Sequence, residues 1–341
     1  MSTLDAARRD LTRVLGSYLE GGRPDGVFHL APGGPGSTPA LADLDVPELH
    51  LDLLPEPPTE VQRAALATLG YVPGEREDVW THPGGWRLVL CDHGTGWRAG
   101  QTALRALLLG GGKAAARYRT VFLARGREEA DAALLAEALA HHARTVGFAP
   151  AKHISRALST LPDLPWMVAG GLALDLHLGG LTRPHDDVDV VIPRPAQVNV
   201  RDALLAGGWR LDACGPGGYR PWTAPLDPPH HQVHARHPEL PDVLMLDLLL
   251  TGLGDGLWHY RRDPRVTLPL AEARQFGPEN LPYLAPQAVL LFKGGHAGRD
   301  PRGKDARDFD RVLPTLTRAA RDWLAGALNV TAPGHPWLGR L

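Results

Sequence analysis

The chain has 341 residues, enough for about two domains, and nearly balanced charge: 36 Lys and Arg against 38 Asp and Glu. That balance argues against a general nucleic-acid surface, which would carry a basic excess. Two cysteines, Cys91 and Cys214, exclude a disulfide framework and fit a reducing cytoplasm. The charged start around Asp5, Arg8, Arg9 and Asp10 predicts no signal peptide, and no run of about 18 apolar residues predicts a membrane span.

In chain order, Gly36-Ser37 precedes His50-Leu51-Asp52, and a helical stretch from Val61 to Leu66 runs into Gly70-Tyr71. Glu128 to Arg144 is rich in Ala, Leu and Glu and predicts a helix, broken at Gly147-Phe148-Ala149-Pro150. A domain boundary is placed there, giving 1–150 and 151–341. Trp166 to Ala169 reads as a strand, Gly171 to Leu178 as a helix, Val188 to Ile192 as a strand, and Val200 to Ala206 as a helix ending at Gly207-Gly208. Val243 to Leu250 is an apolar run broken only by Asp247 and reads as a buried strand. Helical spacing marks Pro286 to His296, Lys304 to Leu313 and Arg318 to Leu328. The class is mixed α/β (α+β), with C-terminal helices packed on the second domain.

The chemistry concentrates between Gly170-Gly171 and Asp187-Val188-Asp189. Alternate residues of a strand share a face, so the two carboxylates project side by side. Such a pair repels unless a cation sits between them, and hard oxygen ligands suit Mg²⁺. Gly-Gly before a helix leaves N–H groups free to face a phosphate. Asp247, alone among Leu, Met and Val, needs a partner; a shared metal supplies one, and a buried arginine is the plain alternative. A third carboxylate there also suits general-base work. Arg183 is a phosphate ligand and His185 an orienter of the acidic loop, unless Pro184 marks an ordinary surface turn. Lys293 either contacts nucleotide phosphates or complements its helix dipole. Lys304 and Asp308 have the spacing of a helix-face ion pair. His230, His231, His234 and His237, flanked by prolines, read as loop or edge strand rather than a zinc site. Arg261-Arg262-Asp263-Pro264-Arg265 is a basic patch, at a phosphate or on a solvated turn.

The two halves share a rhythm. Gly36-Ser37 aligns with Gly170-Gly171, and His50-Leu51-Asp52 with Asp187-Val188-Asp189. On this alignment His50 replaces the first acidic residue, and the chain holds a tandem pair of related folds with one damaged metal site. Chance strand–helix rhythm is the alternative.

These motifs resemble the nucleotidyltransferase superfamily. More narrowly, residues from about 160 to 341 are similar to the aminoglycoside 2″-adenylyltransferase-like family. The matching pieces are WMVAGGLALDL from Trp166, TRPHDDVDV from Thr182, RRDPRVTLPL from Arg261, LPYLAPQAVLLFK from Leu281, KDARDF from Lys304 and GHPWL near the end. Gln287 departs from the acidic residue expected after the proline. The resemblance implies tandem nucleotidyltransferase-like domains, each a small mixed sheet with helices. It implies ATP-dependent AMP transfer, with two Mg²⁺, to a hydroxyl of a small molecule, an aminoglycoside-like acceptor among them. Asp187, Asp189 and Asp247 would hold metal, with Asp247 as base; Gly170 and Gly171 would meet the triphosphate, with Arg183, His185 and Lys293 nearby. Residues 25–145 more faintly resemble the GrpB family, through GST from Gly36, LDL from Leu51, LGY from Leu69, and WRAGQTALRALL from Trp97 followed by Tyr118. Only Asp92 offers a third carboxylate there, so this half reads as catalytically silent. Two other readings stay open: a transferase modifying a protein or RNA, of toxin–antitoxin or regulatory type, and a non-catalytic nucleotide-binding module.

Overall fold

The computed structural model describes residues 3–20, 27–54, 58–91, 96–215, 218–237, 239–240, 245–294 and 301–341. Asp92, Pro238, Val243, Leu244 and His296 fall outside the described residues. The first half opens with α1 (Thr3–Glu20), β1 (Val27–Gly33) and β2 (Glu48–Leu54). Next comes α2 (Glu60–Thr68), whose start is fixed by a reciprocal cap: Thr59 Oγ1 accepts from Gln62 N–H, and Gln62 Oε1 accepts from Thr59 N–H. β3 (Val72–Pro73), β4 (Val79–His82) and β5 (Trp86–Cys91) complete a five-stranded sheet of order β1-β2-β5-β4-β3. Helices α3 (Trp97–Gly110), α4 (Gly112–Arg125) and α5 (Arg127–Thr145) follow.

The expected break near residue 147 is also a helix start: α6 (Ala149–Ala157) begins with Pro150 in its first turn, where the missing N–H costs nothing. Then come β6 (Met167–Val168), α7 (Gly170–Leu178), β7 (Asp187–Pro193), α8 (Gln197–Ala206), β8 (Arg210–Gly215), β9 (Gly218–Pro221), β10 (Gln232–Arg236) and β11 (Met245–Thr251). A small three-stranded sheet, β12 (Leu253–Gly254), β13 (Leu257–His259) and β14 (Thr267–Pro269), leads through the turn of helix α9 (Leu270–Ala273) to β15 (Arg274–Phe276) and β16 (Pro282–Leu284). The eight-stranded sheet has order β15-β16-β6-β7-β11-β10-β8-β9 and is flanked by α10 (Pro286–Lys293), α11 (Gly303–Val312) and α12 (Arg318–Thr331). β11 lies in the middle of this sheet and is covered on both faces, which is why its sequence is continuously apolar rather than alternating. The histidine segment is not an edge strand: β10 sits between β11 and β8, and His234 is buried there.

The two sheets share one plan. β1 is antiparallel to β2, β2 parallel to β5, and β5 antiparallel to β4; β6, β7, β11 and β10 repeat those relations in that order. The register corrects the sequence alignment. Gly33 faces Glu48, and Gly34 beyond it has φ +67°; Ala169 N–H donates to the Asp189 carbonyl, and Gly170 beyond it has φ +58°. Glu48, not Asp52, therefore holds the place of Asp189. Across the parallel pair, Glu48 faces Arg87 where Asp189 faces Asp247. Counting residues from glycine to carboxylate misled because the first crossover is made of short 3₁₀ turns, Pro35–Ser37 and Pro39–Leu41, whereas the second contains all of α7.

Apolar packing follows the same division. One cluster runs from Phe148 to Trp337, and two others lie within Ala7–Leu88 and Leu41–Ala138; among the described residues no apolar cluster spans both halves. Cys91 and Cys214 are free. No described helix is long and apolar enough to cross a membrane.

Candidate active site

Asp187 and Asp189 stand on one face of β7, while Val188 and Val190 between and beyond them are buried beneath. Asp247 lies opposite Asp189 on the parallel neighbour β11. The three carboxylates line a cavity of about 650 Å³, a size common for small-molecule sites. Its walls also carry Arg183, Arg261, Arg262, Lys293, Arg302 and Lys304. An acidic patch faced by cations suits a polyanion bridged to the carboxylates by metal.

Electrostatics press the same way. Burial, reinforced by the charge of Asp187, pushes the Asp189 carboxyl up. Burial also holds Asp247 well above the ordinary carboxylate range, and Asp189 adds to it. Gln232 donates to Asp247 Oδ2 at 2.6 Å and opposes this rise, while Asp247 Oδ1 is buried without a hydrogen bond. Crowded, buried carboxylate oxygens with an open lone pair fit a divalent cation.

Gly170 begins α7 at positive φ, and a Cβ added there would overlap Asp189 Oδ2. Only glycine lets the helix start so close to that carboxylate, with its first N–H groups toward the cavity. A Cβ on Gly171 would meet Arg183 and His185.

His185 is placed differently from a nucleotide ligand. It is not on the cavity wall but beneath Gly171, donating from Nε2 to Asp175 Oδ2 at 2.7 Å. Burial holds its pKa below the usual histidine range. Asp175, fully buried on α7, also accepts from the backbone N–H and hydroxyl of Thr182, so it ties down the loop that leads into β7. Sequence reasoning passed over Asp175, although an Asp among leucines on a short helix carried the same signal as Asp247 on its strand. Lys293 reaches the cavity while donating to Asp305 at 3.0 Å and Asp308 at 2.7 Å. The helix-face pair expected between Lys304 and Asp308 does not form: Asp308 turns inward to Lys293 and Arg311, and Lys304 faces the cavity. The patch at Arg261 and Arg262 is cavity wall; burial lowers the Arg261 pKa, and Asp247 opposes that. Gln287 is buried within α10. Near the histidine segment, His153, His237 and Glu239 approach one another, but His237 Nε2 meets the Gly207 carbonyl and Nδ1 accepts from Glu239 N–H.

Residues 153–214 match the profile of the aminoglycoside-2″-adenylyltransferase family. The C-terminal half resembles the aminoglycoside adenylyltransferase-like nucleotidyltransferases. The matched segment contains α7, the Asp175 loop, Asp187 and Asp189. No curated protein matches. Among the solved structures similar to this chain are three that cover about half of it. They are the solution structure of the antibiotic-resistance factor ANT(2″)-Ia (18% identity, 52% of this chain and 89% of that one, TM-score 0.37), the crystal structure of ANT(2″)-Ia in complex with adenylyl-2″-tobramycin (17%, 55% and 99%, 0.38), and lincomycin-bound lincosamide antibiotic adenylyltransferase LnuA (17%, 48% and 97%, 0.35). Likeness at these scores carries no argument of its own. Asp187 and Asp189 lie inside the matched segment, and Asp247 lies outside it on β11.

Proposed function

We propose that this nucleotidyltransferase moves AMP from ATP to a hydroxyl of a small molecule, with an aminoglycoside-like acceptor as the first class to test. The observation that carries the reading is the opposition of Asp189 and Asp247 on parallel strands, beside Asp187, in a cavity whose walls also carry cationic side chains. Gly170 and Gly171 offer helix N-terminal N–H groups to the triphosphate, and Arg261, Lys293 and Lys304 balance its charge. Asp247 accepts the proton of the acceptor hydroxyl; Gln232 holds one carboxylate oxygen and leaves the other for that task. The acceptor oxygen forms its bond to the α-phosphorus as the bond to the β-phosphate oxygen breaks, and pyrophosphate leaves. Asp187, Asp189 and Asp247 would hold magnesium, which when bound as a pair stabilises attacking and leaving oxygens.

Two domains dividing near residue 150 accord with the separate apolar clusters. The first is read as catalytically silent because Arg87 stands opposite Glu48 and neutralises it, where the second sheet has Asp247. Free cysteines are in keeping with the cytoplasm. Incubating the protein with α-labelled ATP, Mg²⁺ and a panel of aminoglycosides and other polyols tests the reading. Label should move to a small molecule; label appearing on protein or RNA would instead favour a macromolecular acceptor, and nucleotide binding without pyrophosphate release would favour a non-catalytic module.

A further inference from the structure

We propose that Arg98, in the first half of the chain, is a positioning residue for the metal-binding strand of the second half. The idea rests on the site reading above, and its geometry lies away from the cavity. Arg98 sits in the first turn of α3 and is 2% exposed. Its Nε lies 2.7 Å from Asp52 Oδ2, and its Nη1 lies 4.0 Å from Asp186 Oδ1. Asp52 is thus an anchor for a guanidinium rather than a relic metal ligand. Asp186 immediately precedes Asp187, so one arginine links β2 of the first sheet to the residue that enters β7 of the second.

A buried guanidinium stays charged and needs anionic partners. Asp52 is the nearer carboxylate, and Asp186 lies at the outer reach of the same guanidinium. Asp186 needs holding: it is 9% exposed, and its Oδ1 makes no hydrogen bond. No apolar cluster bridges the halves among the described residues, so the coupling is ionic. Without Arg98, Asp186 gains by turning to water and carries the main chain of Asp187 with it. Asp189, deeper in β7 and bonded to Ala169, stays in place. The first half would then act on catalysis by fixing the spacing of two metal ligands, with no catalytic residue of its own.

The test uses the full chain with Arg98→Ala, Asp186→Asn and the double substitution. Mn²⁺ binding is followed by electron paramagnetic resonance, backbone exchange by mass spectrometry over residues 180–188, and AMP transfer in parallel. Arg98→Ala and Asp186→Asn should each weaken Mn²⁺ binding and lower kcat roughly 10–100-fold, as loss of outer-shell support does, with faster exchange confined to that segment. The double variant should be no worse than the poorer single one, because the two residues act as a pair. Wild-type Mn²⁺ affinity and exchange in Asp186→Asn would overturn the proposal, as would fully additive losses. If Arg98→Ala fails to fold, Asp186→Asn decides alone, since it leaves the Arg98–Asp52 pair intact. If the wild-type protein moves no AMP, the proposed function fails, and the exchange comparison still decides the positioning role.

Discussion

Arg87 lies opposite Glu48 across β2 and β5, its Nε 2.5 Å from Glu48 Oε1, in the place where the second sheet sets Asp247 against Asp189. Arg127 adds a second guanidinium to Glu48, and His50 Nε2 lies 3.0 Å from its other oxygen. His50 and Arg127 hold the Glu48 carboxyl far below the usual range despite its burial. Where one sheet leaves carboxylates crowded, the other has built its cation from side chains.

Divalent binding should therefore belong to one half only. In Mn²⁺ titrations, Asp189→Asn is expected to remove all tight binding, with nothing left from the first sheet. Tight binding that survives this substitution would restore a metal role to the first half.

Gly170→Ala tests the close approach of helix and strand. The side chain would overlap Asp189 Oδ2, and a non-glycine residue at positive φ costs about 1–3 kcal/mol. AMP transfer should be lost together with Mn²⁺ affinity, while far-UV circular dichroism stays native. Normal kinetics for this variant would show that the first turn of α7 does not crowd the metal ligand.

The raised carboxyls make a linkage prediction. Asp189 and Asp247 bind protons more tightly folded than unfolded, so their contribution to stability is complete below the unfolded carboxylate range and is lost as pH rises through the folded values. In metal-free buffer the melting temperature of wild type relative to Asp189→Asn should fall as pH is raised from 5 to 8 on the order of three units. Mg²⁺ should restore more stability at the alkaline end, where both carboxylates must ionise. Thermal shift with and without a chelator measures both trends, and a pH-independent difference would remove the electrostatic argument.

His185→Asn separates a positioning role from nucleotide contact. Losing one of the donors to buried Asp175, which keeps Thr182, should cost about 1–3 kcal/mol and reduce kcat, because the loop into β7 loosens. The dissociation constant for ATP without metal should stay within about threefold, a change worth well under 1 kcal/mol. A large loss of ATP affinity alone would return His185 to the cavity wall.

The core of the site was legible because burial makes acidic residues conspicuous: Asp187 and Asp189 lie in an apolar strand, and Asp247 interrupts a run of Leu and Met. Helices α7, α8, α10, α11 and α12 lay close to the segments expected to be helical, whereas the single turn of α9 was too short to leave a pattern. Gln232 was not legible, because an isolated glutamine gives no hint that strand β10 will place it 2.6 Å from a carboxylate. Nor was the inward turn of Asp308, because helix spacing describes neighbours on one helix and not the stronger claim of Lys293 from another. The repeat was visible in rhythm but misplaced by a few residues, since crossover length is set by how much helix the loop contains and leaves no mark on the strands it joins.

The most direct measurement is AMP transfer from α-labelled ATP by wild type and Asp247→Asn, alongside ATP·Mg²⁺ binding by each. Wild type should label a hydroxylated small molecule and release pyrophosphate. Asp247→Asn should still bind nucleotide but transfer at least about 100-fold more slowly, as expected when a positioned base is lost. Full transfer by Asp247→Asn, or label carried from the γ-phosphate instead of the α-phosphate, would contradict the account.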